Sequence, residues 1–156
     1  MKIKLLLVGK TTDESIRRIE AEYEKRISRY CPFESVTIDN SAIRSGTEPQ
    51  IRQREGELIL KKVAPADYLI LLDERGRAYT SIQFADEVNR WMNSSKKNII
   101  LTVGGAYGFS DEVKTRADGL VSLSAMTFSH QIVRVILLEQ VYRAFTILNH
   151  EPYHHA

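Results

Sequence analysis

Apolar positions run almost unbroken through "IKLLLVG" and stop at Gly9. A run this short, closed by glycine, predicts a buried strand. The period then changes. Ile16, Ile19, Tyr23, Ile27 and Tyr30 recur every three or four residues within 12–30, with charges between them, and Pro32 ends the pattern; this predicts an amphipathic helix. "FESVTID" (33–39) alternates and predicts a second strand, and "NSAIRSGTEPQ" is loop chemistry. A helix over about 47–63 carries Ile51, Leu58, Ile59 and Val63 on one side. "DYLILLD" (67–73) predicts a third, buried strand. "SIQFADEVNRWM" predicts a helix with Phe84, Val88 and Trp91 inward and Thr80 or Ser81 as its cap. "KNIILTVGG" (97–105) and "GLVSLS" (119–124) predict two more strands, separated by a short helix at "DEVKTRA". The chain then enters the long helix "HQIVRVILLEQVYRAFTILN". The alternation predicts an α/β fold, a mostly parallel sheet with helices on both faces. It reads as one domain over 1–156, because the one linker-like stretch, 40–48, is equally a surface loop.

The last helix changes this picture. From Ile132 to Leu148 it is apolar almost all round, so one side meets the sheet and the other calls for a cover. The expected cover is a second copy of the chain; full burial within a monomer is the alternative.

Composition narrows the class. The chain has 156 residues, 43% of them hydrophobic, which is enough for a core, and a formal net charge of +2. That charge permits a nucleic-acid partner without demanding one. Cys31 is the single cysteine, so a disulfide framework is excluded and a reducing cytoplasm is expected. No apolar stretch is long enough to span a membrane.

Three loops follow strand ends, where ligands sit in open α/β sheets. "TVGGAYGFS" (102–110) is glycine-rich but is followed by no Lys-Ser or Lys-Thr, and the next helix opens with Asp111 and Glu112. Such a loop suits a ligand without phosphate at that spot, or it is a simple tight turn. "LLDERG" (71–76) is either a strand-end turn or a second ligand loop. "SLSAMTFSHQIVR" (122–134) is small and polar, then enters the apolar helix, where Arg134 must pair with an acid or meet an anion. Glu139 and Arg143 form either an interfacial ion pair or a substrate contact. The ending "LNHEPYHHA" holds three of the four histidines, His150, His154 and His155. They lack a carboxylate or cysteine partner at fixed spacing, so no metal site is expected. Tyr153 and His154 can instead supply a stacking face, a hydrogen bond and a group that titrates near neutrality. His155 and Ala156 read as mere ends.

Taken together, "KIKLLLVGK", "LLDERG", "VGGAYGFS", "SLSAMTFSHQIVRVILLEQVYRA" and the closing "PYHHA" resemble the RlmH family of SPOUT methyltransferases over essentially the whole chain. Ser129 stands where some members carry proline. The resemblance implies methyl transfer from S-adenosylmethionine to N3 of a pseudouridine in 23S ribosomal RNA on the assembled ribosome. It also implies a homodimer and a C-terminal trefoil knot. Family cofactor positions fall on Leu72, Gly104, Leu123, Ser124, Ala125, Met126, Thr127 and Phe128. The acceptor nitrogen must lose a proton. His154 is the candidate base, Arg134 the candidate cation for the resulting anion, and Tyr153 the candidate contact to the target base. Two competing readings are a ribose methyltransferase of the same superfamily acting on transfer RNA, and a non-catalytic RNA-binding module.

Overall fold

The computed structural model describes residues 1–155; Ala156 lies outside the described residues. Five strands form one parallel sheet: β1 (Lys2–Val8), β2 (Phe33–Ile38), β3 (Tyr68–Ala78), β4 (Asn98–Val103) and β5 (Gly119–Ser122), in the order β2-β1-β4-β3-β5. Five α-helices connect and cover them: α1 (Glu14–Ile27), α2 (Glu48–Lys61), α3 (Ser81–Met92), α4 (Asp111–Arg116) and α5 (Ile132–Leu148).

The two faces of the sheet are sorted by the period of two that a strand imposes. Ile3, Leu5 and Leu7 of β1 turn toward α1, α3 and α5 and join Ile99, Leu101 and Val103 of β4. Leu6 and Val8 turn the other way, toward α2 and α4, with Ile100, Leu69 and Leu71. A slip of one residue in any central strand would exchange these two sets, so burial on both faces holds the register. Trp91 on α3 is 5% exposed and meets Phe84 edge-on in the first of these cores.

Local chemistry sets the element ends. Asp13 caps α1 through the amides of Ser15 and Ile16. Thr47 with Gln50, and Thr80 with Gln83, form capping boxes at α2 and α3, so the cap of α3 is Thr80 rather than Ser81. α5 ends in a Schellman turn: His150 takes φ +56°, its amide reaches Ile147 O and the Glu151 amide reaches Thr146 O. The chain therefore turns back on the helix instead of running off its end.

β3 departs from the sequence expectation by continuing past Asp73 to Ala78. Val121 of β5 pairs with Leu72 and again with Arg77, so Asp73–Gly76 bulge out between the two pairings. Gly76 makes the return possible. A Cβ there would lie 2.6 Å from the Leu120 carbonyl carbon and 2.7 Å from the Val121 nitrogen, an approach only glycine allows.

Candidate active site

The carboxyl ends of β3, β4 and β5 surround a cavity of about 700 Å³, within the range of sites for small organic ligands. One wall is the β3 bulge, with Leu72, Asp73, Glu74 and Arg75. A second is the β4–α4 loop, from Val103 through Gly104 to Phe109. The third is the β5–α5 loop, with Leu123, Ser124, Thr127 and Phe128. Thr127 Oγ1 reaches Glu74 Oε2 at 3.4 Å and so joins two of the walls. The Met126 amide donates to Ser124 Oγ, a local turn that leaves the Met126 side chain 74% exposed.

Of the eight expected cofactor positions, six line the cavity: Leu72, Gly104, Leu123, Ser124, Thr127 and Phe128. Ala125 and Met126 sit on the same loop and are not among its lining residues. Sequence reasoning missed Glu48 and Arg52 of α2, Tyr107 and Lys114, all of which also line it. Arg52 Nε donates to Tyr107 O at 3.0 Å and ties α2 to the glycine loop. Nothing in the periodicity of α2 marks these two residues, because they follow the exposed face of an ordinary amphipathic helix.

The glycine loop also rests on a buried acid. Glu55 of α2 is 3% exposed and accepts from Asn40 Nδ2 through Oε2; Oε1 has no partner among the described residues. Burial pushes its carboxyl above the ordinary value. A Cβ on Gly105 would lie 2.6 Å from this carboxylate, so glycine at 105 lets the loop pass directly over it.

Arg134 is fully buried. Its Nη1 donates to Thr11 Oγ1 at 2.8 Å and its Nη2 to Val8 O at 2.9 Å, while Thr11 Oγ1 donates to Glu20 Oε1 at 2.7 Å. Burial raises the Glu20 carboxyl and lowers the Arg134 guanidinium from their ordinary values, each partly offset by the other's charge. The expected cation thus points at the end of β1 and does not line the cavity. Gln131 makes a parallel tie, bonding the amides of Thr12 and Asp13 and the hydroxyl of Thr12.

The tail is docked rather than frayed. Tyr30 OH donates to Glu151 at 2.8 Å. Tyr153 OH donates to Glu139 Oε1 at 3.2 Å and lies 3.4 Å from Tyr23 OH. Its ring meets Tyr142 edge-on at 4.8 Å, and the Arg143 guanidinium stands over it at 4.8 Å. Burial and these two hydrogen bonds push the Tyr153 phenol upward from its usual value. Arg143 in turn bonds Glu139 through Nε at 3.0 Å and His154 Nδ1 through Nη1 at 3.2 Å. Among the described residues, none of the tail lines the cavity. α5 contributes Val133 to the cavity, while the tail docks at Glu139 and Arg143, some 9–15 Å further along the helix at about 1.5 Å per residue. Among the described residues no cluster of three metal-ligating side chains forms, and no helix is long and apolar enough to cross a membrane.

The family model described as "Predicted SPOUT methyltransferase" matches residues 1–154. Full-length relatives carry the name ribosomal RNA large subunit methyltransferase H. That of Flavobacterium psychrophilum is 46% identical over 99% of both chains. That of Parabacteroides distasonis is 47% identical over 99% of both, and that of Geobacter sulfurreducens is 47% identical over 99% of this chain and all of its own. The chain belongs to the RlmH family of SPOUT methyltransferases. Against that membership, the three loops of the RlmH-type chain are one continuous pocket, and its tail is a separate, ordered structure on α5 and α1.

Proposed function

We propose that this chain methylates N3 of a pseudouridine in large-subunit ribosomal RNA, using S-adenosylmethionine held in the β3–β4–β5 cavity. The observation that carries the reading is the cavity's donor set. Asp73, Glu74 and Glu48 line it together with Arg52, Arg75 and Lys114, backbone at Gly104 and Gly105 and the apolar Leu72, Val103 and Phe128. Side chains of both charges beside an apolar wall suit a zwitterionic ligand with a cationic centre, a carboxylate and an aromatic end. When bound, S-adenosylmethionine supplies an electrophilic methyl group on a sulfonium. The chain's own residues do the rest. The acids face positive charge, the apolar wall excludes water, and the three loops hold the reacting carbon in place.

The active unit in this reading is a homodimer. Ile132 is 48% exposed and Ile136 is half-buried, and they share one face of α5 with Glu139 and Arg143. Antiparallel packing of two such helices sets the tail of one protomer beside the cavity of the other, spanning the 9–15 Å that separates them within one chain. Tyr153 and His154 then meet the acceptor base. Arg134 serves as a positioning residue for the loop before α5.

The test is methyl transfer to naked ribosomal RNA, isolated subunits and assembled ribosomes, with the methylated nucleotide located by mass spectrometry. Methylation of pseudouridine N3 on the ribosome is expected; a 2′-O-methyl product on transfer RNA would replace this reading. Deleting residues 153–156 is expected to leave cofactor binding intact in calorimetry and to lower the transfer rate by roughly 10²–10⁴-fold. Full activity of the truncated protein would remove the tail from the site.

A further inference from the structure

We propose that His154 acts as a hydrogen-bond donor through Nε2, not as a base, and that Arg143 is the positioning residue that fixes it in that state. The proposal rests on the reading of the tail as part of the active site. The deciding contact is Arg143 Nη1 to His154 Nδ1 at 3.2 Å. A guanidinium has only N–H donors and no acceptor. It stays charged here, since its hydrogen bond to Glu139 raises it further above its ordinary value. Nδ1 must therefore be the accepting nitrogen, and the ring's proton sits on Nε2. Protonating Nδ1 would abolish the contact.

This arrangement inverts that of a histidine base. There, a carboxylate accepts a hydrogen bond from Nδ1–H and leaves Nε2 with a free lone pair. Here a donor occupies Nδ1 and leaves Nε2 with a hydrogen to give. The charged neighbours agree. On α5, Glu139 is engaged by Arg143 and by Tyr153 OH. On α1, Arg26 stands over the rings of Tyr23 and Tyr142, and Tyr23 OH faces Tyr153 OH. In the tail, Glu151 is held by Tyr30. Among the described residues no carboxylate bonds the His154 ring.

A donor is useful to this acceptor. An imide nitrogen stands between two carbonyl groups, and its anion carries charge on both oxygens. A hydrogen bond to one of those oxygens stabilises the anion as it forms, in the manner of an oxyanion-hole donor. In the transfer, the N3 proton leaves to water and the N3 electron pair forms the new bond to carbon. The electron pair of the broken carbon–sulfur bond stays on sulfur.

Two measurements test the assignment. Long-range proton–nitrogen NMR of the histidine-labelled dimer, with His154 assigned from the spectrum of His154→Gln, should show Nδ1 bare and Nε2 protonated. In Arg143→Gln the ring should become a mixture of both tautomers. An Nδ1–H tautomer in the wild type would overturn the proposal. In methyl-transfer kinetics, His154→Gln keeps an amide N–H near the position of Nε2 and has no basicity. It should stay within about tenfold of wild type, whereas His154→Ala should fall by roughly 10²-fold or more. Arg143→Gln should lower kcat with little change in KM for S-adenosylmethionine, and Arg143→Lys should recover part of the loss. A His154→Gln enzyme as impaired as His154→Ala would overturn the donor role while leaving the tail in the site. A His154→Ala enzyme at the wild-type rate would overturn the tail's participation itself.

Discussion

Gly104 and Glu55 show how single residues make the pocket. A Cβ at Gly104 would stand 3.0 Å from two carbons of the buried Phe109 ring. Gly104→Val should therefore push into the cavity or displace Phe109, and either way cofactor binding measured by calorimetry should fall below detection; binding at wild-type strength would place the pocket elsewhere. Glu55 has its carboxyl raised by burial. A carboxyl raised in the folded state binds its proton more tightly there than in the unfolded chain. Its favourable contribution is present below the ordinary value of 4.5 and is lost as pH climbs through the raised value. Glu55→Gln should flatten that loss, so its melting temperature should gain on wild type as pH rises from about 4.5 toward neutrality. Parallel pH profiles for the two proteins would show that the carboxylate is better compensated than its unpartnered Oε1 implies. Gly104 is marked in the sequence by its glycine-rich loop and by the family resemblance, whereas the role of Glu55 is not. A glutamate on an amphipathic helix looks like surface, and only the crossing of the glycine loop over α2 buries it.

Elements were largely legible, and the failures share a cause. Each strand and helix lies where the apolar period puts it, to within a few residues, because burial on both faces of the sheet enforces that period. β3 is the exception. "DERG" carries three charges and a glycine, which read as the end of a strand, yet the chain bulges and pairs with β5 again. Local chemistry cannot announce a pairing partner some 45 residues away. α5 was legible in the other direction, since its excess of apolar positions exceeds what one sheet face can bury. Ile136→Glu would place an unpaired charge on the outer face of α5 and should destabilise the proposed dimer by on the order of 3 kcal/mol. Sedimentation of wild type and variant checks this, and a wild-type monomer at micromolar concentration would remove the dimer. The sequence singles out Tyr153 and His154 without showing how they are held. The Schellman turn at His150 and the ring contacts of Tyr153 required the fold.

For the whole molecule, the sheet order β2-β1-β4-β3-β5 could not be read from one sequence, because period and spacing define strands but not their neighbours. The family resemblance and the grouping of three loops at one end of the sheet carried the functional expectation further than composition did. A net charge of +2 on 156 residues leaves only local basic groups to meet phosphates, with Arg17, Arg18, Lys25 and Arg26 together on α1. RNA affinity should therefore fall with salt, with a slope corresponding to a few phosphates. Titrations at several salt concentrations measure that slope, and a flat line would argue against RNA as the partner. The placement of Trp91 has an optical consequence. It is the single tryptophan of the chain, sealed against Phe84 beneath α3 and absent from the cavity lining. Its emission will report whether the sheet and its helices are assembled and will be silent to what occupies the pocket. The Gly104, Arg143 and His154 variants and the tail deletion can thus be sorted by fluorescence into those that lose the fold and those that lose only the chemistry.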